Sequence, residues 1–294
     1  MNYCKNIEIL SSDWEEHELL DSGDRLKLER FGGCTAIRSE PKAWWKPSRP
    51  ELWKNADCRY FDDDKKTAKW VFYKKISPPA LSYRNVKFCT KFMEGSKHLG
   101  VFPEQKPRWD YIFESAKNFK GKGAPKLLNL FGYTGAATLV AASAGFSATH
   151  VDASKPSVDW ARKNQSASGL DSAPIRWIVD DALKFVHREE RRGACYDAIV
   201  LDPPAFGRGP KNELWKLEKM LPELLQACSA ILSDTPMFAL ITLYSIEASS
   251  IMAANMLDEH FGKVGNCRIE AGELALSPRE GYVLPLSLWA RASF

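Results

Sequence analysis

The sequence predicts an α/β protein, a doubly wound parallel sheet preceded by a small β-rich domain. Three observations carry that expectation. From residue 126 onward, short apolar runs alternate with helical stretches, the pattern of a sheet with helices on both faces. The run Lys126 to Phe131 ends in two glycines, Gly132 and Gly135, and a small-residue helix (Ala136 to Ala142) follows at once. That order reads as a buried strand, a tight turn and a helix whose N-terminus faces a ligand. The polar residues Gly132/Gly135, Asp152, Asp181 and Asp202 all fall at the C-terminal ends of expected strands. Any one of these acids alone reads first as a helix cap; their succession reads as one crevice.

Composition narrows the class. A chain of 294 residues at 45% hydrophobic can bury one large core and a smaller satellite. Its net charge of +4 is too mild to identify a partner. No apolar stretch approaches the roughly 20 residues needed to span a bilayer, and no signal-peptide layout opens the chain, so no membrane role is expected. Seven cysteines (4, 34, 58, 89, 195, 228, 267) lie scattered without a C-x-x-C pair. That set suits reduced thiols in a cytoplasmic protein, with no metal site.

Residues 1–104 are expected to form the small domain. Glu16–Leu20, Arg25–Phe31, Cys34–Arg38, Trp70–Tyr73 and Val86–Phe92 are strand-like, with turns at Asp21–Asp24 and Gly32–Gly33. Several short strands without helices between them suggest a small antiparallel sheet or open barrel. From Pro41 to Met93 there are 13 Lys and Arg against 5 Asp and Glu. Trp44, Trp45, Trp53, Trp70 and Tyr73 are interleaved with those cations. Cations neutralise phosphates and aromatic faces stack on unpaired bases, so the segment suits RNA; equally, the tryptophans could fill a core beneath a solvated basic face.

Residues 105–294 are expected to form the α/β domain. Trp109, Ile112, Phe113 and Ala116 make one helical stripe, and Gly121–Pro125 breaks the chain before the first strand. The units then run Lys126–Phe131 with a helix ended by Gly145, and Ser147–Asp152 with a helix capped by Ser154 and started by Pro156. Next come Ile175–Val179 with a helix over about 182–190, and Tyr196–Leu201 with a helix over 213–232. Met237–Leu243 with a helix to about Phe261 completes the repeats. Two final strands, about Val264–Ile269 and Tyr282–Trp289, close the sheet.

A dinucleotide site would want G-x-G-x-x-G, and the position two before Gly132 is Leu130. A ligand without phosphate needs less of that cradle. S-adenosylmethionine fits, with its amino-acid end over the glycine loop, its ribose on Asp152 and its adenine near Asp181.

At this point the chain resembles the class I S-adenosylmethionine-dependent methyltransferases, and more narrowly the bacterial large-subunit ribosomal RNA methyltransferase family that includes the cytosine carbon-5 enzymes. The likeness covers about residues 85–290. It rests on N-L-F-x-Y-T-G (129–135), V-D-x-S (151–154), A-R-x-N (161–164), D-D-A (180–182) and D-P-P-x-F (202–206). His98 to Gln105 is similar to the segment that closes over the cofactor in that family. The resemblance implies a seven-stranded Rossmann-like methyltransferase sheet with its last strand antiparallel. It implies cofactor contacts from Gln105, Asn129, Phe131, Gly132, Tyr133, Thr134, Gly135, Asp152, Ala153, Ser154, Asp181, Ala182 and Asp202. It also implies that Asp202, Pro203, Pro204 and Phe206 meet the acceptor base, and that the substrate is ribosomal RNA.

Two departures bear on the chemistry. Carbon-5 methylation needs a cysteine thiolate, and none falls beside Asp202 or in Thr242–Ser245. The position directly after D-P-P is Ala205, with Phe206 one later. Direct transfer to a nucleophilic base atom is therefore expected. A small-molecule or protein methyltransferase, and an RNA-binding assembly factor with an idle cofactor fold, stand as alternatives. Oligomeric state, including a homo-oligomer, is left open.

Overall fold

The computed structural model describes residues 8–11, 13–62, 68–244 and 246–294; Cys4 and Ser245 lie outside that range. It divides into two compact units. The larger holds Arg108–Glu273, Ser287–Phe294 and the described part of Met1–Leu10; the smaller holds Ser11–Pro107 and Leu274–Leu286, again as described. This differs from a single division at 104/105, because the last two strands are longer than their sequence suggests and the end of the first and the start of the second group with the N-terminal segment.

Strand β1 (Glu8–Ser11) joins the large sheet. The smaller unit follows with β2 (His17–Gly23), β3 (Leu26–Phe31), β4 (Cys34–Ser39), the single turn α1 (Pro50–Trp53), β5 (Cys58–Phe61), β6 (Lys69–Phe72), β7 (Ala80–Tyr83) and β8 (Val86–Cys89). Its main sheet has the order β2-β3-β4-β5-β6, and β7-β8 form a separate hairpin. The expected antiparallel pairing holds except at β4 and β5, which run parallel because α1 carries the chain across. The β2–β3 turn sits later than expected, with Asp24 and Arg25 at φ 49° and 62°, the backbone of a two-residue hairpin turn. Beneath this sheet Glu29 is fully buried and shared by Arg38 (2.5 Å), His17 (3.0 Å) and Lys27 (3.6 Å). Three donors around one carboxylate offset the cost of burying it.

The larger unit begins with α2 (Lys106–Ser115), whose Trp109 and Ile112 are buried as the stripe predicts. Then come β9 (Lys126–Leu130), α3 (Ala136–Ser143), β10 (Ser147–Asp152), α4 (Lys155–Ala167), β11 (Ile175–Val179), α5 (Ala182–Arg191) and β12 (Ala198–Leu201). After β12 a hairpin intervenes, β13 (Phe206–Arg208) and β14 (Leu214–Lys216), before α6 (Leu217–Ala230). The chain ends with β15 (Phe238–Leu243), α7 (Ser250–Phe261), β16 (Arg268–Leu276) and β17 (Leu284–Ser293).

The sheet order is β1-β16-β17-β15-β12-β9-β10-β11. Strands β11, β10, β9, β12 and β15 are parallel, and β17 runs antiparallel to β15. This is the expected seven-stranded sheet with β1 added at one edge. The chain winds from β9 through β10 to β11, then resumes on the other side of β9 with β12 and β15. Loops following β9 and β12 therefore leave toward opposite faces, which opens a crevice at the strands' C-terminal ends. Apolar strands such as β12 and β15, buried throughout, pack against α5, α6 and α7 to form the main core.

Candidate active site

Left-handed backbone and close packing shape the glycine loop. After Leu130 the backbone turns through Phe131 (φ 58°) and Tyr133 (φ 49°), both left-handed, and reaches Gly135 at φ 86°. Such angles cost side-chain-bearing residues and are held only by strong neighbours. Gly132 is required for a different reason: a Cβ there would lie 2.5 Å from Nδ1 of His150. At Gly135 it would lie 2.8 Å from Cβ of Ala161 in α4.

His150, in the middle of β10, is fully buried and supports the loop. Its Nδ1 lies 2.9 Å from Oγ1 of Thr138, which also accepts from Nδ2 of Asn129 at 2.9 Å. Burial pushes the His150 pKa down to about 3, so the ring is neutral at pH 7. Asn129 therefore serves the interior network, with its amide directed at Thr138 under the loop. Thr134 is buried too, its carbonyl accepting from Nδ2 of Asn164 at 3.0 Å. The sequence reading missed His150; a histidine within the apolar run Ser147–Val151 was the available signal.

Asp152 closes the loop from the tip of β10. One carboxylate oxygen accepts the Tyr133 backbone N–H and the other the Ser154 backbone N–H, both at 2.8 Å. Burial raises its pKa, and those two N–H groups act in the opposite direction. Each oxygen keeps a further lone pair for a hydroxyl donor. Ala153 follows half-buried, and Ser154 caps α4 as expected, accepting from the Ser157 N–H at 3.3 Å.

At the end of β11 the acids serve the helix. Asp181 is buried and caps α5 by accepting the Lys184 N–H at 2.9 Å, with Ala182 buried behind it. Asp180 accepts the Asp181 N–H at 2.9 Å and pairs with Arg188.

The Asp202-Pro203-Pro204 corner lies beside the glycine loop, because β12 pairs directly with β9 and the Asp202 N–H reaches the Leu130 carbonyl at 3.3 Å. The hairpin β13–β14 grows from this corner. Trp215 is buried on the hairpin's inner face; its indole N–H donates to the Pro204 carbonyl at 2.7 Å, and its ring lies 4.9 Å from that of Phe131. One side chain thus fastens the loop after β12 to the loop after β9. Phe206, by contrast, is 57% exposed. Thr242 is buried at the end of β15, the strand beside β12, and Tyr244 follows half-buried.

The loops after β9, β10 and β12 are therefore joined by direct contacts, which gathers Phe131, Gly132, Tyr133, Gly135, Asp152, Ser154, Asp202 and Pro204 at one end of the sheet. Gln105 lies in a 3-10 turn (Pro103–Gln105) of the smaller unit.

Within the smaller unit most interleaved aromatics are internal. The indole N–H groups of Trp45, Trp53 and Trp70 donate to the Ser22 carbonyl, Asp21 and the Ser96 carbonyl, and Trp70 packs on Tyr60 and Phe92. Trp44 and Tyr73 are exposed. Among the described residues three of the cations have acidic partners, Lys46 with Asp24 (2.9 Å), Arg49 with Glu51 (3.4 Å) and Lys74 with Asp57 (2.6 Å).

The fold and the strand-end site define an α/β protein with a cofactor crevice at a topological switch point. No protein-family model matches the chain. The crystal structure of the SAM-dependent methyltransferase from Agrobacterium tumefaciens is similar throughout, at 39% identity and TM-score 0.92, covering 100% of this chain and 97% of that one. The chain belongs to the S-adenosylmethionine-dependent methyltransferases. Ribosomal RNA large subunit methyltransferase I of Shewanella denitrificans is 33% identical over 130 residues, 44% of this chain and 31% of its own length. Ribosomal RNA large subunit methyltransferase K/L of Shewanella frigidimarina is 29% identical over 166 residues, 55% of this chain and 22% of its own. The chain thus spans less than a third of either of these relatives. Among the described residues no helix is long and apolar enough to cross a membrane, and no group of three His, Cys, Asp or Glu could hold a metal ion.

Proposed function

We propose that this enzyme methylates a base of ribosomal RNA, with its cofactor over the glycine loop and the base against the Asp202–Pro204 corner. The observation that carries the reading is Trp215, which ties the Pro204 carbonyl to the Phe131 ring and so holds acceptor and cofactor loops in one geometry. The names of its ribosomal RNA relatives supply the substrate class. Asp152 holds the ribose hydroxyls on its remaining lone pairs, and the backbone between Phe131 and Gly135 faces the amino-acid end. Ala153, Ser154, Asp181 and Ala182 complete the cofactor set within the larger unit.

The cofactor supplies a methyl group on a positively charged sulfur, which an acceptor lone pair takes while the sulfur keeps the bonding electrons. Asp202 orients the acceptor and receives its proton, while Pro203 and Pro204 stiffen the corner. Alignment of the two loops then supplies much of the rate. A base must leave its stack to reach the corner.

The cysteines favour direct transfer over attack by a thiolate on the ring. Cys195 precedes β12 at the end remote from Asp202, roughly 20 Å along the strand. Cys228 is buried in α6, where desolvation pushes its thiol up, and desolvation raises Cys267 to about 11. Comparison of nucleoside masses in ribosomal RNA from cells with and without the gene tests the reading. A methylated nucleoside that disappears with the gene and returns on adding the purified enzyme supports it. Identical nucleoside profiles would refute it.

A further inference from the structure

The hairpin between Phe206 and Lys216 has two unlike faces. Its register opposes Phe206 to Lys216, Gly207 to Trp215 and Arg208 to Leu214. Side chains alternate along a strand, so Phe206, Lys216, Arg208 and Leu214 share one face and Trp215 occupies the other. The Trp215 face is the anchored one. The opposite face is exposed at all four positions, with Leu214 at 45%.

This outer face carries no acid. Neither Arg208 nor Lys216 forms an ion pair among the described residues; Arg208 donates one N–H to the neutral Asn212 amide at 2.7 Å. Glu213, at the tip, is turned away into an ion pair with Lys184 of α5 at 2.9 Å. An aromatic ring and an aliphatic side chain flanked by two cations on an outward sheet face match an unpaired polynucleotide: a base stacks on the ring while its phosphates meet the cations. An acidic protein surface would leave the ring without a stacking partner. A lipid surface would call for more apolar area than one hairpin offers.

Resting on the RNA reading above, we infer that the outer face of the β13–β14 hairpin is the docking ledge for single-stranded ribosomal RNA beside the reacting base. Phe206 stacks on a base, and Arg208 and Lys216 bind the adjoining phosphates. Trp215 holds the ledge in register with the glycine loop. The smaller unit's basic segment is then secondary, since Lys46 and Arg49 already have acidic partners.

The test is binding of a fluorescent single-stranded RNA oligonucleotide across a salt series, with S-adenosylmethionine affinity measured in parallel. R208Q/K216Q should weaken RNA binding about tenfold or more, and its log K against log salt slope should flatten by about 1.4, two single-strand phosphate contacts. Phe206→Ala should weaken binding about 5- to 150-fold with the slope unchanged. Cofactor affinity should be unaltered in both, which certifies the fold. Wild-type affinity and slope in R208Q/K216Q would overturn the ledge while leaving the RNA reading intact. A wild-type enzyme that binds no RNA would overturn both.

Discussion

The Tyr133 backbone N–H donates to Oδ2 of Asp152 at 2.8 Å, so the tip of β10 holds the glycine loop in its left-handed course. Both carboxylate oxygens hold backbone N–H groups, and the reading proposed above gives their remaining lone pairs to the ribose. Asp152→Ala should lower S-adenosylmethionine affinity by about 1–3 kcal/mol, the loss of charge-assisted hydrogen bonds. Isothermal titration of a folded variant decides this, and an unchanged affinity would move the ribose elsewhere.

Gly132 and His150 are mutually constrained. Gly132→Ala should destabilise the protein by about 1–3 kcal/mol through overpacking against the buried ring. In a His150→Ala background the same change should cost less, because the ring is gone. Denaturant unfolding of the four proteins gives the coupling energy; strict additivity would show that the ring does not set the requirement.

Asp202→Ala should abolish turnover while leaving cofactor affinity within about tenfold, since the work assigned to this carboxylate lies on the acceptor. No covalent RNA–protein adduct should form with a 5-fluorocytosine substrate. A stable adduct, lost on replacing one cysteine, would restore ring attack and carbon-5 methylation.

Stability should fall on acidification in two ranges. His150 titrates at about 3 when folded and near 6.5 when unfolded, so the unfolded chain alone gains a proton between those values. That stability is present above pH 6.5 and declines by up to about 1.4 kcal/mol per pH unit below it. His17, also lowered by burial, acts in the same direction. Glu29, which Arg38, Lys27 and His17 hold well below the usual carboxylate range despite burial, adds a loss only below about pH 4.5. Unfolding midpoints at pH 7 and pH 5 should differ less in His150→Asn than in the wild type. Equal differences would exclude the histidine.

Much of the larger unit was legible because its signals are local. The strand of Leu127–Leu130, the glycines and the small-residue helix lie within one stretch, and Ser154 and Pro156 mark α4 directly. The β13–β14 hairpin was not legible. Leu214, Leu217 and Leu221 fit a helical stripe, so the helix was expected from Glu213, yet Trp215 instead finds Phe131 and Pro204, far away in sequence. The interior bonds of Asn129 were hidden for a related reason, while the capping of α5 by Asp181 is the reading that each strand-end acid offered alone. A polar residue at a strand end looks the same in sequence whether it faces a ligand or its own backbone. In the smaller unit β5 went unread, and it lies beside β4 only through a crossover.

One hydrophobic cluster of the smaller unit also sets an order of events during synthesis. Leu19 and Ala43 pack with Leu276, Leu284 and Leu286, and Lys42 donates to the Leu286 carbonyl at 2.6 Å. Leu19 and Ala43 therefore wait for partners that lie beyond Arg108–Glu273, all of which emerges in between. The larger sheet can gather β9 to β15 while the ribosome is still at work, whereas this small core closes only after Leu286 has left the exit tunnel. Until then Leu19 and Ala43 lack their late partners, and their apolar surface stays uncovered on the nascent chain.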